Sequence, residues 1–193
     1  MLRTVRGNNF AAGDRVRGVM TNLIIFVIAS MGIVAFSWQS LRNSRSHGFY
    51  RFFAFECLLI LFLLNREAWF RDPFSWTQVL SWVLLCASLG VAVHGFYLLM
   101  ALGKPEGNFE NTTMLVIRGA YRYIRHPLYA SLILLTWGVF FKEISLQCTL
   151  LAGVASAFLY ATAKIEEAEN LHAFGEEYAS YMTKTKMFIP YLF

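Results

Sequence analysis

Five apolar runs separated by polar breaks dominate this chain. The first extends from about Val19 to Trp38 and ends in the polar break "QSLRNSRSHG". Its length is close to the ~20 residues a helix needs to cross a bilayer. The second, Phe49 to Leu64, is shorter, with Arg51 near its start and Glu56 inside; it spans if its ends snorkel. "NREAWFRDP" follows, and Pro73 stops any helix there. The third run, Trp76 to Leu102, is long enough to tilt, and Trp76 and Trp82 suit a membrane interface. Pro127 opens a fourth run that ends near Phe141. "KEIS" turns the chain, and the fifth run covers Leu146 to about Ala163. The last two runs form a helical hairpin. The pattern predicts an all-α polytopic membrane bundle of about five transmembrane helices.

The stretches outside these runs divide the chain further, within one integral membrane domain. Residues 1–18 form a polar N-terminus outside the bilayer, residues 19–102 hold three spans, and residues 103–193 hold a long loop, the hairpin and a tail. Loops as long as 103–126 usually carry function. In the tail, Ile165, Leu171, Phe174, Tyr178, Tyr181 and Met182 recur at helical spacing among acids. That spacing predicts an amphipathic helix, broken at Gly175, lying along the interface or over the bundle.

Composition supports the membrane reading. Of 193 residues, 57% are hydrophobic and 15% charged, against about 25% charged in soluble domains. The net charge of +5 is spread over loops without a dense basic tract, which argues against a nucleic-acid partner. More Lys and Arg fall in loop 42–51, loop 103–126 and the tail than on the opposite face. The positive-inside rule therefore puts the long loop and tail in the cytoplasm, although the basic N-terminus pulls the other way. The apolar stretch after that N-terminus is too long for a signal peptide. Cys57, Cys86 and Cys148 lie inside apolar runs; their odd number and wide spacing argue for packing roles, with no disulfide framework and no metal site. The sequon Asn111-Thr112-Thr113 reads as a chance match.

Chemistry concentrates at two places. In "RGAYRYIRHPLYASLILL", Pro127 suits a helix's first turn, and His126 before it is pushed toward extended backbone. The helix start then offers free N–H groups beside Arg125 and His126, an arrangement that suits a carboxylate or phosphate. The plainer reading has Arg122 and Arg125 anchoring lipid phosphates, with Tyr121, Tyr123 and Tyr129 as an aromatic belt. The second place is Glu166-Glu167, at the negative end of the fifth helix, where acids want a cation. That cation is Arg118, Arg122 or Arg125 across the hairpin, or a ligand carrying an ammonium, a sulfonium or ribose hydroxyls. Adjacent helical residues point about 100° apart, so one glutamate can face a ligand while the other closes an ion pair. Glu169 and Asn170 continue the Glu166 face. Glu56 should face the bundle interior, paired with Arg51 or His94 or placed at a substrate. His94 is a packing or a pocket residue.

"RGAYRYIRHPLYAS", then the hairpin, "EEAENLHAFGEEYASYM" and "FIP" resemble the isoprenylcysteine carboxyl methyltransferases and their phospholipid-methyltransferase relatives. The resemblance covers the last ~90 residues in order and spacing. It implies methyl transfer from S-adenosylmethionine, leaving S-adenosylhomocysteine, to a lipophilic small-molecule or lipidated acceptor entering from the bilayer. It also implies that Gly119, Tyr121, Arg125, His126, Pro127, Tyr129, Glu166 and Glu167 build the cofactor pocket. Glu169 and Asn170 depart from the family's leucines, and a polar pair there would alter the substrate end. With a carboxylate acceptor, as in isoprenylcysteine esterification, Arg125 or Arg122 would hold the anion. With a phospholipid amine, Glu166, Glu167 or His126 becomes the candidate base. The competing expectations are an NADPH-dependent sterol-reductase-like enzyme and a non-enzymatic lipid-binding protein.

Overall fold

A computed structural model describes residues 2–105 and 112–192; Asn111 of the sequon lies outside them. The described residues form six helices in order: α1 (Leu2–Leu41), α2 (His47–Leu64), α3 (Trp76–Leu102), α4 (Pro127–Phe140), α5 (Leu146–Phe174) and α6 (Glu176–Lys184). Short 3₁₀ turns occupy Arg66–Ala68 and Gly119–Arg122. The described residues contain no strand, and the fold is a helical membrane bundle.

Local signals explain the starts. Ser46, Ser75 and Ser145 each accept a backbone N–H from the first turn of the helix that follows, the N-cap role serine favours. Pro127 begins α4. Gly175, at φ +57°, separates α5 from α6, so the expected break at this glycine is present.

Helix lengths depart from the apolar runs in three places. α1 begins at Leu2, so the polar N-terminal stretch continues the first span as helix; the membrane-compatible part is Val16–Leu41. α5 runs straight past Ala163 to Phe174, because the apolar periodicity of the tail stays in helical phase with the span. α4 has 14 residues, about 21 Å at 1.5 Å per residue, less than the ~30 Å hydrocarbon core. Among the described residues, four helices are therefore long and apolar enough to cross, and α4 is a shorter apolar helix beside them.

α3 packs along α4, α2 along α5, and α1 lies outside against α2. Small residues allow close approach: Ala54 of α2 and Ala152, Ala155 and Ala163 of α5 are almost fully buried, as expected where packing rather than water exclusion joins membrane helices. Ser81 donates to the Gly138 carbonyl at 2.6 Å and Ser88 to the Ser131 carbonyl at 2.7 Å, two side-chain bonds from α3 to the α4 backbone.

The end of the bundle at the α4–α5 turn is closed by a polar clasp. Lys142 Nζ donates to Gln78 Oε1 at 2.9 Å, and Gln78 Nε2 donates to the Ala68 carbonyl at 2.7 Å. The ammonium lies 3.7 Å from the Trp82 ring centre, and burial pulls its pKa below the ordinary lysine value. Gln78→Ala removes both polar partners and is expected to cost about 2 kcal/mol. Thermal unfolding in detergent checks this; an unchanged midpoint would show the clasp to be dispensable.

Candidate functional site at the start of α4

The site lies at the other end of the bundle. The roughly 20 residues from Leu146 to Glu166 rise about 30 Å along α5, one hydrocarbon thickness. His126 adopts φ −122° and ψ 65°, the bias imposed by the following proline. The first amides of α4 have no acceptor within the helix.

The chain's last segment supports this mouth from behind. Arg125 N donates to the Lys186 carbonyl at 2.8 Å, His126 N to the Met187 carbonyl at 3.2 Å, and Lys186 N to the Tyr123 carbonyl at 3.1 Å. Tyr181 Oη donates to the Tyr121 carbonyl at 2.6 Å. Met187 and Phe188 are buried in the same cluster as Tyr129 and Ala163. The backbone before Pro127 is thus fixed by contacts more than 50 residues away in sequence.

The two glutamates of α5 divide their roles. Glu167 is almost fully buried and accepts from Arg125 Nε at 2.7 Å and from Lys164 Nζ at 3.2 Å. Arg125 Nη1 donates to the Met182 and Thr185 carbonyls, at 3.3 and 2.5 Å. One guanidinium therefore fastens the α4 mouth to α5 and to the end of α6. Glu166 points away from this pair and accepts from the Tyr129 hydroxyl. His126, 3% exposed, sits between the two carboxylates. Its Nδ1 is 3.7 Å from Glu166 Oε1 and its Nε2 is 3.6 Å from Glu167 Oε1, longer than hydrogen bonds. Its ring stacks on Tyr129.

A cavity of about 580 Å³ opens beside these groups. Tyr121, Arg125, His126, Pro127, Tyr129 and Glu166 line one wall, and Glu169 and Asn170 extend it. Tyr178 and Tyr181 of α6 cover one side. The remaining wall is apolar: Phe36 from α1, Phe55 from α2, Leu99 from α3, and Leu128 and Leu132 from α4. His47 joins the start of α2 to α5, its Nδ1 lying 2.5 Å from Glu169 Oε2. Burial is the main cause that pushes the Tyr121, Tyr178 and Tyr181 phenols upward, Tyr178 to about 12. For Tyr178 a hydrogen bond with Asn170 opposes burial, and the charges of Glu166 and Glu167 reinforce it. All three phenols therefore remain protonated donors near neutral pH.

The other residues singled out from the sequence fall outside the cavity wall. Glu167 stands behind it. Gly119 and Arg122 are exposed. Gly119 has φ +58°, and a Cβ there would lie 2.5 Å from Leu98 and 2.8 Å from His94, so a glycine is required where the loop crosses α3. His94 lies beneath that glycine. Glu56 accepts from Ser30 Oγ at 2.8 Å, a partner on α1 that replaces the expected Arg51 or His94. The reason is geometric: five residues place Arg51 and Glu56 about 140° apart around a helix, and Arg51 faces the cavity instead.

The sequence reading missed Phe36, His47, Arg51 and Phe55 on the cavity wall, because nothing local distinguishes them from ordinary residues of a span. The signal for Tyr178 and Tyr181 was present in the amphipathic tail, which covers the cavity as well as the bundle.

The family described as phospholipid methyltransferase matches residues 76–177, just over half of the chain. The chain belongs to the phospholipid methyltransferase family. The matched region runs from the start of α3 into α6, so it contains the α4 mouth and both glutamates. Methanethiol S-methyltransferase 1 of Bradyrhizobium diazoefficiens is a distant relative, 28% identical over 71 residues. That stretch covers 37% of this chain and 24% of the relative, so the chain matches about a quarter of that protein. Family membership and the apolar helices together support an integral membrane methyltransferase.

Proposed function

We propose that the chain transfers a methyl group from S-adenosylmethionine to a lipophilic acceptor that enters from the bilayer. The observation that carries this reading is that the α4 mouth and the acidic turn of α5 face one cavity, whose other wall is apolar. The residues present suit the cofactor: Glu166 and Asn170 are acceptors for hydroxyl or ammonium groups. Free α4 amides suit a carboxylate, and Tyr121 and Tyr178 offer rings for a base. The cavity is within the range of ordinary cofactor pockets, about 300–1,000 Å³. Bound there, S-adenosylmethionine supplies a methyl group already activated on a sulfonium.

The chain's own residues then have positioning and desolvation to perform. His126, Tyr129 and Glu166 orient the cofactor. Arg125 and Glu167 hold His126 in place. Phe36, Phe55 and Leu128 keep water from the reacting atoms. Residues 103–193 carry the cofactor side and residues 19–102 supply most of the acceptor wall. The acceptor enters between α1 and α3, helices that make no extended contact among the described residues. The cofactor reaches the polar end from the cytoplasm.

Thermal unfolding of the full chain in detergent tests the cofactor. S-adenosylhomocysteine at 100 times its Kd should stabilise the fold by about 2.7 kcal/mol, and NADPH should do nothing. A shift with NADPH alone would favour the reductase-like alternative, and no shift with either would favour a lipid-binding protein. The acceptor most in keeping with the resemblance is an isoprenylcysteine-type carboxylate, with a phospholipid amine as the alternative. A carboxylate acceptor is already ionised and predicts a flat rate between about pH 6 and 9. A limb rising through neutrality would instead report an amine that must lose a proton.

A further inference from the structure

The start of α2 is held by a carboxylate from another helix. Ser46 caps α2 locally by accepting the Gly48 N–H, and the His47 N–H has no acceptor within its own helix. Glu169 of α5, 122 residues away, supplies one. His47 N donates to Glu169 Oε1 at 3.3 Å, and His47 Nδ1 lies 2.5 Å from Glu169 Oε2. An ionised carboxylate only accepts, so Nδ1 carries the proton whether the ring is neutral or charged. A negative group also suits the positive end of a helix.

Stability does not account for this link. The Glu169 side chain is 43% exposed, and ion pairs that water reaches contribute little. The α2–α5 seam is already packed by Ala54, Leu159 and Ala163. Its far end has a polar contact of its own, where Asn65 Nδ2 donates to Cys148 Sγ at 3.4 Å. The His47–Glu169 pair stands instead where the seam opens into the cavity, and both residues line it. Glu166, one turn before Glu169, belongs to the polar wall, and Phe55, two turns after His47, to the apolar one. The end of α1 is packed on the start of α2: a Cβ on Gly48 would lie 2.3 Å from Ser40 Oγ. Phe36, one turn before Ser40, therefore shares the placement of α2.

We infer that His47 and Glu169 are positioning residues: their link sets the separation of the α2 and α5 walls and so holds both walls against one ligand in the cavity. The identity of that ligand, S-adenosylmethionine, rests on the methyltransferase reading above. Neither residue takes part in the transfer. The link acts through the walls it joins, Glu166 on one side and Phe36 and Phe55 on the other. Small changes in that spacing matter, because a gap of about 0.5–1 Å already forfeits a quarter to a half of a dispersion contact.

The test is a double-variant cycle on the full chain in nanodiscs, read as S-adenosylhomocysteine affinity by calorimetry and as melting temperature. Glu169→Ala and His47→Ala should each weaken binding by about three- to tenfold, within the coupling range of residues in contact. The double variant should bind no more weakly than Glu169→Ala, because either change already breaks the link. His47→Gln, which keeps a side-chain N–H donor, should recover part of the loss. Cys148→Ala loosens the same seam at its far end; it should lower the melting temperature and leave affinity unchanged. Additive losses would show that each residue touches the ligand by itself and would overturn the inference. So would unchanged affinity in Glu169→Ala, or an equal loss in Cys148→Ala, which would make affinity a matter of bundle stability. If the wild-type protein binds no S-adenosylhomocysteine, the methyltransferase reading fails, and amide exchange decides on the pair alone. Glu169→Ala should then speed exchange in the first turn of α2, and an unchanged rate there would overturn the inference.

Discussion

Glu167→Ala is expected to destabilise the bundle by ~3–5 kcal/mol, the range for removing one member of a buried ion pair. The side chains of Arg125 and Glu167 are 10% and 4% exposed, so water screens the orphaned guanidinium little. The loss should extend to the site, because Arg125 also holds the Met182 and Thr185 carbonyls. Without Glu167 the α4 mouth loses its tie to α5. Glu167→Gln, which keeps an acceptor for Arg125 Nε, should fall between the wild-type protein and Glu167→Ala. The double variant Arg125→Met, Glu167→Leu should recover much of the stability, because replacing a whole buried pair by apolar groups is often close to neutral. Thermal unfolding of the four proteins under one detergent condition measures this. If Glu167→Ala melted with the wild-type protein, the pair would not be what closes the site.

Glu166→Ala should behave in the opposite way, with little change in melting and S-adenosylhomocysteine affinity lower by about 10- to 100-fold, as for lost hydrogen bonds to a charged group. Its side chain is partly exposed at the cavity, and the Tyr129 hydroxyl that donates to it can turn to water when the carboxylate is gone. Titration calorimetry with the purified variant measures the loss. Unchanged affinity would mean that the cofactor, if bound, sits elsewhere. The two neighbours thus give a paired test, with stability following Glu167 and ligand affinity following Glu166.

This division was legible in outline before the structure. Adjacent positions on a helix cannot serve one atom, so one glutamate could face a ligand while the other closed an ion pair. Which was which depended on the phase of α5 against the α4 mouth, a long-range relation. Glu169 and Asn170 followed Glu166 onto the cavity wall by helical spacing alone. Arg51 was legible only as a charge at the start of a span, and its direction became visible once α2 was packed against α5 with Phe36 of α1 beside it.

The chain's alternation of apolar runs and polar breaks by itself determined an all-helical membrane bundle, the serine- and proline-started helices, the break at Gly175 and the two polar patches. These are local matters of hydropathy, backbone restriction and caps, each acting over a few residues. Tertiary structure decided the rest. It set the pairing of α3 with α4 and of α2 with α5, the strand-like support of residues 123–126 by residues 186 and 187, and the cavity between an acidic turn and an apolar wall. In a bilayer hydropathy states that a helix is inserted but carries no information about its neighbour, because lipid is as apolar as another helix. Neighbours are chosen by close packing of small residues and by a few polar bonds, and those depend on side chains far apart in the chain.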